Sequence, residues 1–316
     1  MKKLRERMRY SSFPLGVYAL LRLVIAAFFV ATKGTISPTH LLNIVRQAAP
    51  LGIVAMGQTI VLLVGGLDLS VGATMSMVNL VAASIMMGSD GPMLPAIAVS
   101  MLLCLAIGLV NGFIISHFKM QPFLVTMAMQ MIIEGGYYIY TKGIAKGSIS
   151  PGFRFVSEGW IGLVPIAGII WVVLWAVLST VLHRTTYGRK LYITGGNQAA
   201  SRLSGFRSEA IVISAYVICA LLAGIAGLML SAYIGTSSVG VGTAYTLDSI
   251  ASSVIGGTSF AGGIGSLEGT FPGVLITVIL QSMMTIVGIS EAGKFIMQGV
   301  VIAVMVAINQ MRRQKR

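Results

Sequence analysis

Charge is what this chain has least of. Only 10% of its 316 residues are Asp, Glu, Lys or Arg, where a soluble globular domain carries about a quarter. Acids are scarcest, nine against twenty-two basic residues. There are two cysteines, Cys104 and Cys219, each inside an apolar run. That spacing excludes a disulfide framework and a cysteine zinc site. Three histidines, His40, His117 and His183, fall near the ends of apolar runs, away from acids and cysteines. No nucleophile–base or metal constellation is therefore expected, nor an intramembrane enzyme. No GxxxxGKS or GxxxxGKT phosphate loop occurs; the run GGTSFAGGIG has glycines but no lysine where one is needed. The chain is not expected to hydrolyse nucleotide by itself. The first apolar run lacks a small-residue cleavage site, so no cleavable signal peptide is expected.

Apolar residues make up 56% of the chain, with 38 glycines and 19 methionines. Glycine is commoner in membrane helices than in soluble ones. The net charge of +13 sits in tails and links between apolar runs, which argues for membrane topology and against nucleic acid. A membrane helix needs about 20 mainly apolar residues. On that measure the spans are about 15–32, 48–64, 71–87, 94–116, 123–140, 161–182, 210–234, 245–257, 270–288 and 295–309. The eighth is short enough to be spanning or re-entrant. Residues 141–160 read as a polar loop. The expected fold is all-α: a polytopic membrane protein of about ten transmembrane helices. With ten spans both termini face the cytoplasm, and fifteen Lys and Arg lie inside against six outside, as the positive-inside rule requires.

The pair Leu67-Asp68 opens the third span and Leu247-Asp248 opens the eighth. With an odd five spans per half, the halves would be inverted repeats. The units are then 1–141, the first half; 142–183, the sixth helix with its external loop; 184–208, a cytoplasmic coupling loop; and 209–316, the rest of the second half.

Acids at a membrane are costly unless paired or wet. Asp68 or Ser70 can cap the third span, and Asp248 or Ser249 the eighth; each can also face a pathway. Glu134 and Arg22 lie inside spans, either as functional charges or in an interhelical ion pair. Asn79 and Ser252 are further pathway candidates, although neutral polar groups in spans more often bond between helices. Tyr137, Tyr138, Tyr140 and Trp160 read as an outer aromatic belt.

The segment 183–207, HRTTYGRKLYITGGNQAASRLSGFR, holds five Lys and Arg between two nearly charge-free halves. Gly188, Gly195 and Gly196 are expected to break it into pieces. Asn197 is a good N-cap and Gly205 a good stop for a short helix over 198–204. Such a helix, with Ala199 and Ala200 on one side, can lie in a groove of a soluble partner; the segment can equally be a solvated loop that only sets topology.

Four stretches, GGLDLSVG, PFLVTMAM, TTYGRKLYITGGNQAASRLSGF and TLDSIASSVIGGTSFAGGIGSLEGT, occur in this order across nearly the whole chain. Together they resemble the ribose/branched-chain type of ABC-transporter permease, the monosaccharide group in particular. The resemblance implies about ten helices in two inverted halves, paired as a homodimer or with a paralogue in the bacterial inner membrane. It implies a monosaccharide importer served by an extracytoplasmic sugar-binding protein and by cytoplasmic ATPase subunits. Those subunits would hold the ATP and Mg, leaving this chain without cofactor. The family's ATPase-contact positions carry over to Gly188, Arg189, Gly195, Asn197, Ala199, Ala200 and Gly205. Its acidic positions near the pathway carry over to Asp68 and Asp248. Thr246 stands where the family often has Glu, and Gln281-Ser282 where it often has Asn-Gly. The rival reading is a proton-coupled secondary transporter without an ATPase, with Glu134 or Asp68 as proton carrier.

Overall fold

A computed structural model describes residues 14–32, 37–196, 205, 207–290, 292–294, 296–297 and 299–300. The helices are α1 Leu15–Ala31, α2 Pro38–Leu63, α3 Val71–Met86, α4 Met93–His117, α5 Pro122–Thr141, α6 Pro151–Glu158, α7 Ile166–Arg184, α8 Thr186–Gly196, α9 Ser208–Ile234, α10 Thr243–Ile255 and α11 Leu267–Ile286. One antiparallel hairpin, β1 Trp160–Ile161 with β2 Val164–Pro165, separates α6 from α7. Serines begin three helices. Ser37, Ser150 and Ser266 accept from the backbone N–H three residues on, and Pro38 and Pro151 follow two of them. Those prolines lose no helical bond, because the first-turn N–H groups have no partner in the helix.

Among the described residues five helices are long and apolar enough to cross a membrane: α2 (over Thr39–Leu63), α4, α7, α9 and α11; α1 and α3 are shorter apolar helices. The chain is an all-helical polytopic membrane protein. The expected tenth span, 295–309, falls almost wholly outside the described residues, as do both charged tails.

The core is built round α9, which packs on α2, α3 and α4. Against α4 the approach is backbone to backbone. A side-chain carbon on Gly108 would meet Val217 Cα at 2.7 Å, and one on Gly112 would meet Ile213 Cα at 2.7 Å. In lipid there is no hydrophobic drive between helices, so this close packing is what holds them together. The apolar stretch of α2 is 83% buried, that of α4 only 22%, so α2 is core and α4 faces lipid.

Several expectations are corrected. The loop 141–160 contains α6, because Ser150 caps it and Pro151 starts it. The sixth span begins at Ile166, after the hairpin. The second span is longer than read, beginning at Pro38. Gly188 does not break the basic segment: it lies inside α8, where tight packing outweighs its poor helix propensity. Gly195 and Gly196 are the last two residues of α8, and residues 197–204 lie outside the described residues. Asp248 and Ser249 do not cap α10, which starts at Thr243 after Gly242. Leu67-Asp68 thus precedes α3 while Leu247-Asp248 lies within α10, so the two pairs are out of register.

Two ends of the bundle are distinct. At one, Ser148 bridges Thr236 and Gly88 N donates to Ser148 O. At the other, the end of α2 meets α8 and the α10–α11 link, with Gly263 N donating to Leu63 O at 2.9 Å.

Candidate functional site: the seated helix and the polar core

Helix α8 is seated by its glycines. A side-chain carbon on Gly188 would lie 1.9 Å from the Leu182 carbonyl oxygen, and one on Gly195 would lie 1.8 Å from that of Leu63. No residue but glycine fits at either without moving backbone. Between them Leu191 is wholly buried and Thr194 nearly so. Two tyrosines pin the flanks. Tyr187 shares a hydrogen bond with Ser214 of α9 at 3.0 Å. Tyr192 donates to the Gly265 carbonyl of the α10–α11 link at 2.9 Å. Burial, with the Glu268 carboxylate adding to it, pushes the Tyr192 hydroxyl up to about 12, so it remains a donor at physiological pH.

The outward face of α8 carries Thr186, Arg189, Ile193 and Gly196, at the spacing of one helix side. Ile193 is 40% exposed, a large apolar side chain beside an exposed arginine. Of the expected contact residues, Arg189 points outward, while Gly188 is buried and Gly195 abuts Leu63. Gly205 has φ +73°, the left-handed conformation a helix-stop glycine takes. Asn197, Ala199, Ala200 and the short helix over 198–204 lie outside the described residues.

A polar brace ties the neighbouring helices together beneath α8. Glu268 in the first turn of α11 accepts from Ser179 of α7, and His183 Nε2 lies 3.0 Å from both of its carboxylate oxygens. Tyr18 of α1 donates to the Glu268 carbonyl at 3.1 Å, and Trp175 Nε1 to that of Leu267 at 3.1 Å. The expectation that no histidine meets an acid is therefore wrong for His183. Eighty-five residues separate the pair, and only tertiary packing brings them together.

Among the described residues, Asp68 and Ser70 are the two expected pathway residues that bond directly to each other. Asp68 and Ser70 are buried together: Asp68 Oδ1 accepts from Ser70 N at 2.9 Å and from Ser70 Oγ at 2.6 Å. Asn79 locks the other end of the bundle. Its Nδ2 donates to Ser231 Oγ and Thr236 O, both at 3.1 Å, and its Oδ1 accepts from Ser238 N at 2.7 Å. Ser252 is buried and donates to Thr277 at 3.0 Å. Glu134 is half-buried and accepts from Gln130 on its own helix at 2.9 Å. Among the described residues the ion pairs are Arg154–Glu158 and His183–Glu268; Arg22 is exposed and bridges no acid.

Asp248 borders a cavity. Gln281 donates to its Oδ1 at 2.9 Å. The cavity, about 270 Å³, has Asp248, Thr277, Gln281 and Lys294 as its polar edge and Met283 and Met284 among its apolar walls. Thr277 and Lys294 escaped the sequence reading, because a lone threonine or lysine at a span carries no motif. The tyrosine belt is also modified: Tyr137 is buried, while Tyr138 and Tyr140 are exposed.

Residues 40–306 match the family model described as "Branched-chain amino acid transport system / permease component". The chain is 36% identical over 307 residues to the ribose import permease protein RbsC of Escherichia coli (strain K12), covering 92% of this chain and 93% of that one. It is 32% identical to the ribose import permease protein RbsC of Bacillus subtilis (strain 168), over 94% and 92% of the two chains. It is 25% identical to the galactose/methyl galactoside import permease protein MglC of Escherichia coli (strain K12), over 95% of each. No solved structure matches the chain.

Proposed function

This chain belongs to the permease-component family of branched-chain amino acid type transport systems, and from that membership we propose that it is the membrane subunit of an ATP-driven monosaccharide importer. Ribose or a related sugar is the cargo, in keeping with the names of its relatives. ATP and Mg are held by separate cytoplasmic ATPase subunits. A sugar-binding protein on the other side of the bacterial inner membrane delivers the substrate to a dimer of this chain or of this chain with a paralogue. Each permease has about ten transmembrane helices in two inverted halves, with both termini in the cytoplasm.

The observation that carries this reading is α8. Its back is locked by Gly188, Gly195, Tyr187 and Tyr192 to α7, α2, α9 and the α10–α11 link. Its front offers Arg189 and Ile193. A push on the front is therefore passed to four places in the bundle at once. Motion of one half against the other then alternates access to a pathway bordered by Asp248.

Arg189→Glu with Ile193→Glu, reconstituted with the ATPase subunits and the binding protein, tests it. The double variant folds, since both positions are outward, and loses sugar-stimulated ATP hydrolysis and uptake. Full stimulation in the variant refutes the coupling role. Uptake by this chain alone under a pH gradient favours a proton-coupled carrier instead.

A further inference from the structure

Residues 64–70 do not run on into solvent at the end of α2. They touch the seat of α8, where Gly262 and Gly195 lie against Gly65 and Leu63. They then fold back along α2. Gln58, with its amide oriented to match, donates to the Asp68 carbonyl at 3.1 Å and accepts from Asp68 N at 3.3 Å. Gln58 is five residues before the end of α2, so at 1.5 Å per residue Asp68 is drawn roughly 8 Å back into the bundle.

There the Asp68 side chain is wholly buried. Its polar neighbours can be counted. Ser70 gives its backbone N–H and its hydroxyl hydrogen to Asp68 Oδ1. Asn111 of α4 gives an Nδ2 hydrogen to the same Ser70 oxygen at 3.1 Å. Two acceptors are then left buried without a partner, Asp68 Oδ2 and Asn111 Oδ1. Both belong to side chains that flank one hydroxyl. From α9 the titratable groups facing Asp68 are Tyr216, whose hydroxyl donates to the Leu67 carbonyl at 3.4 Å, and the Cys219 thiol, a weak donor. No lysine, arginine or histidine is among these partners. Apart from the weak thiol donor of Cys219, nothing supplies these two acceptors with a hydrogen, and the cluster holds one carboxyl able to carry one. An ionised carboxylate here is a buried charge with no counter-ion, which a protein avoids by keeping the group neutral.

We propose that Asp68 is a protonated acid at working pH, a positioning residue whose neutral carboxyl pins the inturned segment 64–70 between α2 and α4. The added hydrogen turns Oδ2 from an orphan acceptor into a donor for the Asn111 side of the cluster. The pin then holds the inner end of a segment whose outer end is the seat of α8. Its importance for transport rests on the reading of α8 as the point of ATPase contact; the protonation itself does not.

The test has two arms. Infrared spectra of the reconstituted permease are compared for wild type and Asp68→Asn. A carbonyl stretch of a protonated carboxylic acid is expected in the wild type, unchanged across the pH range in which the protein is folded and missing in the variant. Its absence overturns the proposal. In uptake assays with ATPase and binding protein, Asp68→Asn, which keeps size and neutrality and supplies a donor, is expected to retain most of the wild-type rate with the same pH profile. Asp68→Ala is expected to lose at least tenfold. Should Asp68→Ala fail to fold, Asp68→Asn still decides: a fall of tenfold or more in Asp68→Asn, with normal assembly, overturns the proposal. The infrared arm needs no transport, so a wild type that shows the band but no ATP-driven uptake counts against the functional reading alone.

Discussion

Gly195→Ala is the sharpest perturbation available. The added carbon would lie 1.8 Å from the Leu63 carbonyl oxygen and 2.8 Å from Gly263 N. Real contacts of that kind begin near 3.0 Å, so α8 must retreat by at least about 1.2 Å. The Gly263 N to Leu63 O bond, 2.9 Å long, shares the crowded oxygen and is weakened by the retreat. Overpacking of this sort costs about 1–3 kcal/mol, and loss of one backbone bond adds about 1 kcal/mol. A net cost of roughly 3 kcal/mol lowers the population of the seated helix by about two orders of magnitude relative to the unseated one. The neighbouring Gly196→Ala is the control, since among the described residues its carbon meets nothing closer than Gly263 Cα at 3.9 Å. Hydrogen exchange over residues 186–196 and sugar-stimulated ATP hydrolysis are the assays. Gly195→Ala should speed exchange and uncouple hydrolysis, while Gly196→Ala exchanges near the wild-type rate. Equal behaviour of the two variants refutes the claim that α8 is held by its glycine seat.

Two further outcomes follow from the polar contacts. Asn79→Ala removes three hydrogen bonds in a buried site and should cost about 3 kcal/mol, read as a lower midpoint of thermal unfolding in detergent; a loss under about 0.5 kcal/mol would discredit the lock. For the brace, Glu268→Ala strands both Ser179 and His183, whereas His183→Ala leaves Ser179 paired. His183 is 46% exposed, so solvent screening limits its loss to under about 1 kcal/mol; the reverse order of stabilities would contradict the assignment.

Most of the span pattern was legible because lipid imposes a simple demand, long runs without charge. The third, fourth, fifth and seventh spans fall within two residues of α3, α4, α5 and α9 at each end. What escaped was decided by partners remote in sequence. Glycine reads as a breaker, yet Gly188 sits inside α8, where the Leu182 carbonyl leaves room for nothing larger. Asp68 reads as a cap, and its Oδ1 does accept from Ser70 N at the head of α3, whereas Ser70 itself makes no side-chain cap bond. That Asp68 is also drawn inward follows from Gln58, which holds its backbone against α2. His183 and Glu268 carry no mutual spacing signal, and α7 and α11 bring them to 3.0 Å. Arg189 was legible as part of a motif, but its outward aim follows only from which residues of α8 are buried.

The central claim is that the front of α8 meets an ATPase from the cytoplasm. Cys104 and Cys219 are both buried, so Ile193→Cys introduces an exposed thiol that a membrane-impermeant maleimide can find. The account predicts labelling in inside-out vesicles, protection when the ATPase subunits are bound, and none in right-side-out vesicles. Labelling from the outer side, or labelling that bound ATPase leaves unchanged, contradicts it.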